Sequence, residues 1–200
     1  MTFIALYDKI VIGEFETFLT EPFGEKTKLK EQLNMKRTNT TLRLCRAAIV
    51  AALYVALTYV SFALGLASGV IQLRLSEALC ILPVFLPEAV VGLWVGCLLA
   101  NLLTGAALWD IIFGSLATLI GALGCYLLRR APEKLKFIAT LPTVIANAVI
   151  VPIVLIYAYG ATEGYLFILA TVSIGEILSA GVLGTLLYYG MRKSKTEKFL

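Results

Sequence analysis

Six polar side chains lie inside long apolar runs of this 200-residue sequence: Arg74, Glu77, Asn101, Asp110, Asn147 and Glu176. An ionisable group at mid-membrane costs about 2.5–3.5 kcal/mol on insertion scales, so each one needs a partner, a cavity or a route to the interface. Carboxylates, a guanidinium and carboxamides are recognition groups, suited to gripping a small polar molecule. Bond-breaking chemistry has less to work with. There is no histidine, which removes His-based acid–base catalysis and zinc sites of the usual kind. No nucleophile–base pair occurs at helical spacing, so an intramembrane enzyme fits poorly. The cysteines Cys45, Cys80, Cys97 and Cys125 stand alone in apolar stretches without a CxxC pair and read as small buried hydrophobes. No metal and no cofactor is expected.

Each polar residue also has a simpler role open to it. Arg74 and Glu77 are three apart and can pair across one turn. Asp110 suits a helix N-terminus, where an anion is favoured. Asn147 can bond a neighbouring helix. Glu176 is the strongest functional candidate, being far from either interface with no basic residue within a turn and only Ser173 and Ser179 as nearby hydroxyls. Trp109, Phe113, Tyr157, Tyr159, Tyr165 and Phe167 gather towards the same end, either as an interfacial belt or as walls of a pocket for a flat, polar, cationic molecule.

The elements that must carry these residues follow from composition. Charged residues make up 15% of the chain and hydrophobic ones 60%, with a mean hydropathy of +0.89; soluble domains carry about 25% charged residues. Between Ala47 and Leu128 only Arg74, Glu77, Glu88 and Asp110 are charged, which predicts an all-α integral membrane bundle. The spans read as Ala47–Ala67, Ser76–Leu86 with an irregular start, Glu88–Leu103, Trp109–Leu128, Phe137–Ala158 and Tyr165–Gly190. Basic clusters at Lys36–Arg46, Arg129–Lys136 and Arg192–Lys198 must share the cytoplasmic side. That parity requires two crossings between Val70 and Thr104, with Pro83 and Pro87 interrupting regular helix, and hence six transmembrane helices with both termini cytoplasmic. The charges flank the apolar blocks and form no stripe for nucleic acid.

Residues 1–34 break the pattern. They mix short apolar runs such as Ile10-Val11-Ile12 with ten charges, and Glu21–Glu31 reads as a polar linker. They are expected to be a loosely attached extension or an upstream start, with Met35 opening the membrane domain of residues 35–200. On the first span Ala48, Ala52 and Ala56 recur every four residues beside Ala47 and Ala51, a smooth strip that suits either internal packing or docking of a separate membrane subunit.

Three runs are more specific. VIQLRLSEAL (Val70–Leu79) followed by Ile81-Leu82-Pro83, GLWVGCLLANLL (Gly92–Leu103) and DIIFGSLATLIG (Asp110–Gly121) together resemble the QueT family, the queuosine-precursor substrate-binding subunits of energy-coupling-factor (ECF) transporters. The resemblance covers roughly Lys36–Arg192. It implies a membrane S component that captures a 7-deazaguanine, with an aminomethyl (preQ1) or cyano (preQ0) group, and relies on a transmembrane coupling subunit and two ATP-binding subunits. Such a ligand presents an amide N–H and exocyclic NH₂ to one carboxylate, a carbonyl to a donor, its ring to aromatic faces and, in the aminomethyl form, an ammonium to a second carboxylate. Glu176 and Asp110 would supply the carboxylates, Asn147 or Asn101 the donor and Trp109 or Tyr165 the faces, with Glu77 and Arg74 at the outer entrance. Ala48, Ala52 and Ala56 would meet the coupling subunit, and Glu88 in the inner turn would belong to the same contact. The chain has no GxxxxGK[ST] phosphate loop, so ATP hydrolysis by that route falls to partners. The other reading is a stand-alone proton-coupled carrier using Asp110 or Glu176, against which stand the short chain and the lack of evident internal repeats.

Overall fold

The structure, a computed structural model, describes residues 23–66, 72–160 and 163–194, with side chains at 40–66, 72–132, 136–160 and 163–194. The chain divides into two units, Met1–Arg43 and Leu44–Leu200. Of the first, residues 23–43 are helical, so most of the stretch that reads as a polar linker is helix. Met1–Pro22, with the apolar run Ile10-Val11-Ile12, lies outside the described residues. The second unit carries the polar residues singled out above.

Every element among the described residues is helical. Helix α1 (Phe23–Ala63) is followed by a 3₁₀ helix (Leu75–Val84), α2 (Ala89–Leu103) and α3 (Leu108–Leu127). Two short 3₁₀ pieces, Leu128–Arg130 and Glu133–Thr140, lead into α4 (Leu141–Tyr159), and α5 (Tyr165–Glu176), a π turn (Ile177–Leu183) and α6 (Gly184–Lys193) complete the order. Four stretches are long and apolar enough to cross a bilayer, Thr40–Ala63, Leu108–Arg130, Lys136–Tyr159 and Tyr165–Lys193; Leu75–Val84 and Ala89–Leu103 are shorter apolar helices. Leu44, Ile49, Leu53, Val60 and Phe62 on α1 and Leu116, Ile120, Leu123 and Leu127 on α3 are exposed, an arrangement that belongs in hydrocarbon.

Lipid tails are as apolar as leucine, so helices in a bilayer associate through close approach and shape. Glycines provide that approach here. A Cβ added to Gly92 of α2 would lie 2.5 Å from the Ala47 carbonyl oxygen, and one added to Gly96 would lie 2.9 Å from Tyr54 Cβ and 3.0 Å from Ala51 Cα. On the other side of the bundle, Gly121 and Gly124 of α3 would meet Thr143 Oγ1 at 2.6 Å and Pro142 Cβ at 2.4 Å. Helix α1 therefore packs through Ala47, Val50, Ala51 and Tyr54, all buried, while Ala48, Ala52 and Ala56 stay exposed.

The 3₁₀ helix forms the buried post of the unit. Ser76, Glu77, Leu79, Cys80, Ile81, Leu82 and Pro83 are all buried, packed against α3, α6 and the π turn. The sequence reads as a short helix over Ser76–Leu86; the chain instead extends itself, because 3₁₀ geometry rises about 2.0 Å per residue against about 1.5 Å in an α-helix. The 10 residues thus reach about 20 Å.

Boundaries differ from the hydropathy reading where local chemistry decides. Helix α1 stops at Ala63, short of Ala67, because Gly65 takes φ 70° and Leu66 N–H returns to the Ser61 carbonyl at 2.9 Å, a left-handed helix stop. Helix α4 starts at Leu141 with Pro142 in its first turn, the position where proline's missing N–H costs nothing. Cys80, Cys97 and Cys125 are buried, but Cys45 is exposed, since it lies on the face of α1 turned away from α2.

Gly96→Val should lower the midpoint of thermal unfolding of the detergent-purified chain, because overpacking of this kind costs about 1–3 kcal/mol. An unchanged midpoint would show that α1 and α2 do not depend on this contact.

Candidate functional site

A cavity of about 390 Å³ opens among Thr58 and Ser61 of α1, Gln72 and Arg74, Asn101 of α2, the turn Thr104–Ala106, Asp110 of α3, and Val151, Leu155 and Tyr159 of α4. Its volume lies in the range of small-molecule sites, about 300–1,000 Å³. Four of the residues singled out from sequence line it: Arg74, Asn101, Asp110 and Tyr159.

Their geometry is mutual. Arg74 Nη2 is 3.9 Å from Asp110 Oδ2, so the arginine reaches across to α3 and leaves Glu77, its neighbour one turn on. Tyr159 Oη donates to Asp110 Oδ2 at 3.1 Å and accepts from Ala107 N–H at 3.0 Å, clamping the C-terminal end of α4 to the start of α3. Asn101 Nδ2 donates to the Asp110 carbonyl oxygen at 3.3 Å. Asp110 lies in the first turn of α3, where an anion is favoured, and it also lines the cavity. Gly114 makes room for this group: a Cβ there would lie 3.0 Å from Asp110 Oδ1 and 3.2 Å from Asn101 Nδ2. Tyr59 Oη donates to the Leu103 carbonyl at 3.1 Å, so tyrosines from α1 and α4 hold both ends of the α2–α3 turn, in which Gly105 adopts φ 72°.

Deeper in the unit lies a second polar layer. In a 3₁₀ helix, side chains three apart eclipse one another, and Arg74, Glu77 and Cys80 follow that spacing. Glu77 is buried; one carboxylate oxygen accepts from Tyr54 Oη and the other from the Cys80 thiol at 3.1 Å. Thr58 Oγ1 bonds Ser76 Oγ at 2.9 Å and Ser61 Oγ accepts Leu75 N–H at 2.8 Å, fixing the 3₁₀ helix to α1. Glu176 closes α5 just before the π turn and is buried. The groups that act on its carboxylate are Glu77, Asn147 and Arg74, and its Oε2 is buried with no hydrogen-bond partner, as are Ser179 Oγ and Thr143 Oγ1.

Helix α4 joins the two layers. Asn147, Val151, Leu155 and Tyr159 are spaced by four and share one face; the last three line the cavity and Asn147 continues the stripe to Glu176. The Gln72 backbone crosses α5 at Gly175, where a Cβ would lie 2.2 Å from the Gln72 carbonyl oxygen. Gln72, which lines the cavity, therefore packs directly on α5 at Gly175.

Trp109 and Tyr165 do not join this group. Trp109 is 57% exposed, stacked on Phe113 at 5.9 Å, and lines a separate apolar groove with Ile150, Ile153, Val154 and Tyr157. Tyr165 is likewise exposed. The aromatic side chains in the cavity wall are Tyr159 and Phe62. Tyr159 belongs to the aromatic group named from sequence, whereas Phe62, Thr58 and Ser61 of α1 do not; the polar series Tyr54, Thr58 and Ser61 carried the signal for that helix. At the opposite end, Glu88 pairs with Arg46 at 3.4 Å.

Residues 44–193 match the family model described as QueT transporter. This chain belongs to the QueT transporter family. The matched region starts where the second structural unit starts, at Leu44. A relative in the family, the queuosine precursor transporter QueT of Lactococcus lactis subsp. cremoris (strain MG1363), is 37% identical over 101 residues, which is 50% of this chain and 58% of that protein. The alignment thus spans little more than half of the relative's length. No solved structure matches the chain. A member of the QueT transporter family with several long apolar helices is a multi-pass membrane protein.

Tyr54→Phe should destabilise the chain by about 1–3 kcal/mol, the cost of leaving a buried acceptor without its donor. Thermal unfolding in detergent measures this directly; a midpoint equal to wild type would mean that Glu77 does not rely on the tyrosine.

Proposed function

We propose that this chain is the substrate-capturing S component of an ECF importer and that its cavity takes a queuosine precursor, a 7-deazaguanine. The observation that carries the reading is the pairing of QueT family membership with a small cavity whose polar wall holds a carboxylate, a guanidinium and a carboxamide. A deazaguanine edge offers two adjacent donors for a carboxylate and a carbonyl for a donor. In this reading Asp110 accepts the donors, Arg74 or Asn101 donates to the carbonyl, and Tyr159 and Phe62 cover the ring. Glu176, Glu77 and Asn147 form the layer beneath.

The orientation follows from charge. With the 3₁₀ helix and α2 as two short crossings beside the four long ones, the chain crosses six times. The basic groups Arg43 and Arg46, Arg129 and Arg130, and Arg192 and Lys193 then share the cytoplasmic side, as do both termini, and the cavity opens outwards. The exposed face of Ala48, Ala52 and Ala56 is the docking surface for the coupling subunit, its neighbours Ala47 and Ala51 being used internally. Two partner ATPases supply the energy, and the S component topples against the coupling subunit to release its ligand inside.

Ala52→Trp separates capture from transport. It should abolish uptake of labelled aminomethyl-7-deazaguanine into proteoliposomes holding the whole ATP-driven assembly, while the purified variant binds as wild type does. Equal loss of binding would make the strip internal packing. Uptake by this chain alone under an imposed proton gradient would overturn the S-component reading in favour of a proton-coupled carrier.

A further inference from the structure

The side-chain donors that reach the Asp110 carboxylate among the described residues fall on one of its two oxygens. Tyr159 Oη donates to Oδ2 at 3.1 Å, and Arg74 Nη2 stands 3.9 Å from the same atom, an ion pair beyond hydrogen-bond range. Oδ1 faces Gly114 beside Asn101 Nδ2, the two lying 3.0 and 3.2 Å from where a Cβ on that glycine would stand. An acceptor and a donor thus sit side by side in the polar wall of the cavity. The terminal torsion of an aspartate is broad and nearly two-fold, so a carboxylate without a fixed donor turns easily and its oxygens lose their separate roles. Here the donor is itself fixed. Tyr159 Oη accepts Ala107 N–H at 3.0 Å, which leaves its single proton for Asp110, a carboxylate that can only accept. Helix α4 ends at Tyr159, with Gly160 at φ 66°. Tyr59 braces the same α2–α3 turn differently, by donating to the Leu103 carbonyl at 3.1 Å.

We propose that Tyr159 is a positioning residue that sets specificity: its hydroxyl ties down Asp110 Oδ2, so that Oδ1 is the oxygen that reads the donor edge of the ligand. This inference rests on the reading of the chain as a deazaguanine-capturing subunit and deepens it, by assigning the two carboxylate oxygens to different partners and by making discrimination depend on a residue that acts through Asp110. The hydroxyl of Tyr159 and its ring have separate tasks. The ring covers the ligand, whereas the hydroxyl touches only Asp110 and the Ala107 amide. Removing the hydroxyl alone frees the carboxylate to turn and blurs its choice of ligand donors, while the ring stays in the cavity wall. The Tyr59 hydroxyl supports the turn without holding the carboxylate, and therefore separates support of the backbone from orientation of Asp110.

The test is calorimetric titration of the purified full chain with aminomethyl-7-deazaguanine and with the same compound lacking its exocyclic 2-amino group. Wild type should prefer the first by about 10–100-fold, the range of one hydrogen bond to a charged group. Tyr159→Phe should lower that ratio by about 3–10-fold, and Tyr59→Phe should leave it as in wild type even where both affinities fall together, because a general loosening of the turn weakens both compounds alike. Asp110→Asn alone should also lower the ratio, and adding Tyr159→Phe to it should change the ratio no further. A wild-type ratio in Tyr159→Phe, an equal drop in Tyr59→Phe, or additive drops in the double variant would overturn the proposal, as would a wild type that does not distinguish the two compounds; each of these leaves the deazaguanine reading intact. Failure of wild type to bind either compound would overturn both.

Discussion

Charge in hydrocarbon is the constraint on which this structure turns. Each ionised group placed there must be matched, bonded or moved to the interface, and the chain does the first two with side chains from every part of the unit. Tyr54 from α1 and Cys80 hold Glu77; Tyr159 from α4 and Arg74 hold Asp110. These bonds also fix geometry, because each joins elements distant in sequence. The polar layer is therefore both the hardest part of the fold to accommodate and the part that sets its register.

Close helix packing is what makes the bonds possible. Gly92 and Gly96 bring α2 against α1, so that Tyr54 lies deep enough to reach Glu77, and Gly121 and Gly124 bring α4 against α3, so that the Tyr159 hydroxyl meets Asp110. The 3₁₀ helix carries Arg74, Glu77 and Cys80 along one edge through the centre, which an α-helix of equal length would neither span nor align as well. Small residues, tight helices and buried charges are one arrangement seen from three sides.

The sequence announces its polar residues because an ionisable side chain in an apolar run stands out. Arg74, Asn101 and Asp110 reach the cavity and Glu77, Asn147 and Glu176 the layer beneath. Pairing was less legible. Spacing offers Arg74 to Glu77, yet tertiary contact gives it to Asp110, a choice that only the approach of α3 decides. Trp109 and Asp110 are neighbours in sequence and so point about 100° apart on a helix; with Asp110 turned inward, Trp109 cannot share the cavity. Pro83 and Pro87 marked irregularity around the 3₁₀ helix without specifying its geometry, and the π turn had no local signature. Glycine spacing in α2 and α3 was present in the sequence, but which helix each glycine faces depends on the assembled bundle.

A structure of the purified chain with aminomethyl-7-deazaguanine bound tests the central claim most directly. The account predicts the base in the cavity lined by Tyr159, Arg74 and Asp110, with its donor edge about 2.7–3.2 Å from the Asp110 carboxylate, the distance of a hydrogen bond. A ligand seated instead in the apolar groove beside Trp109 would contradict it.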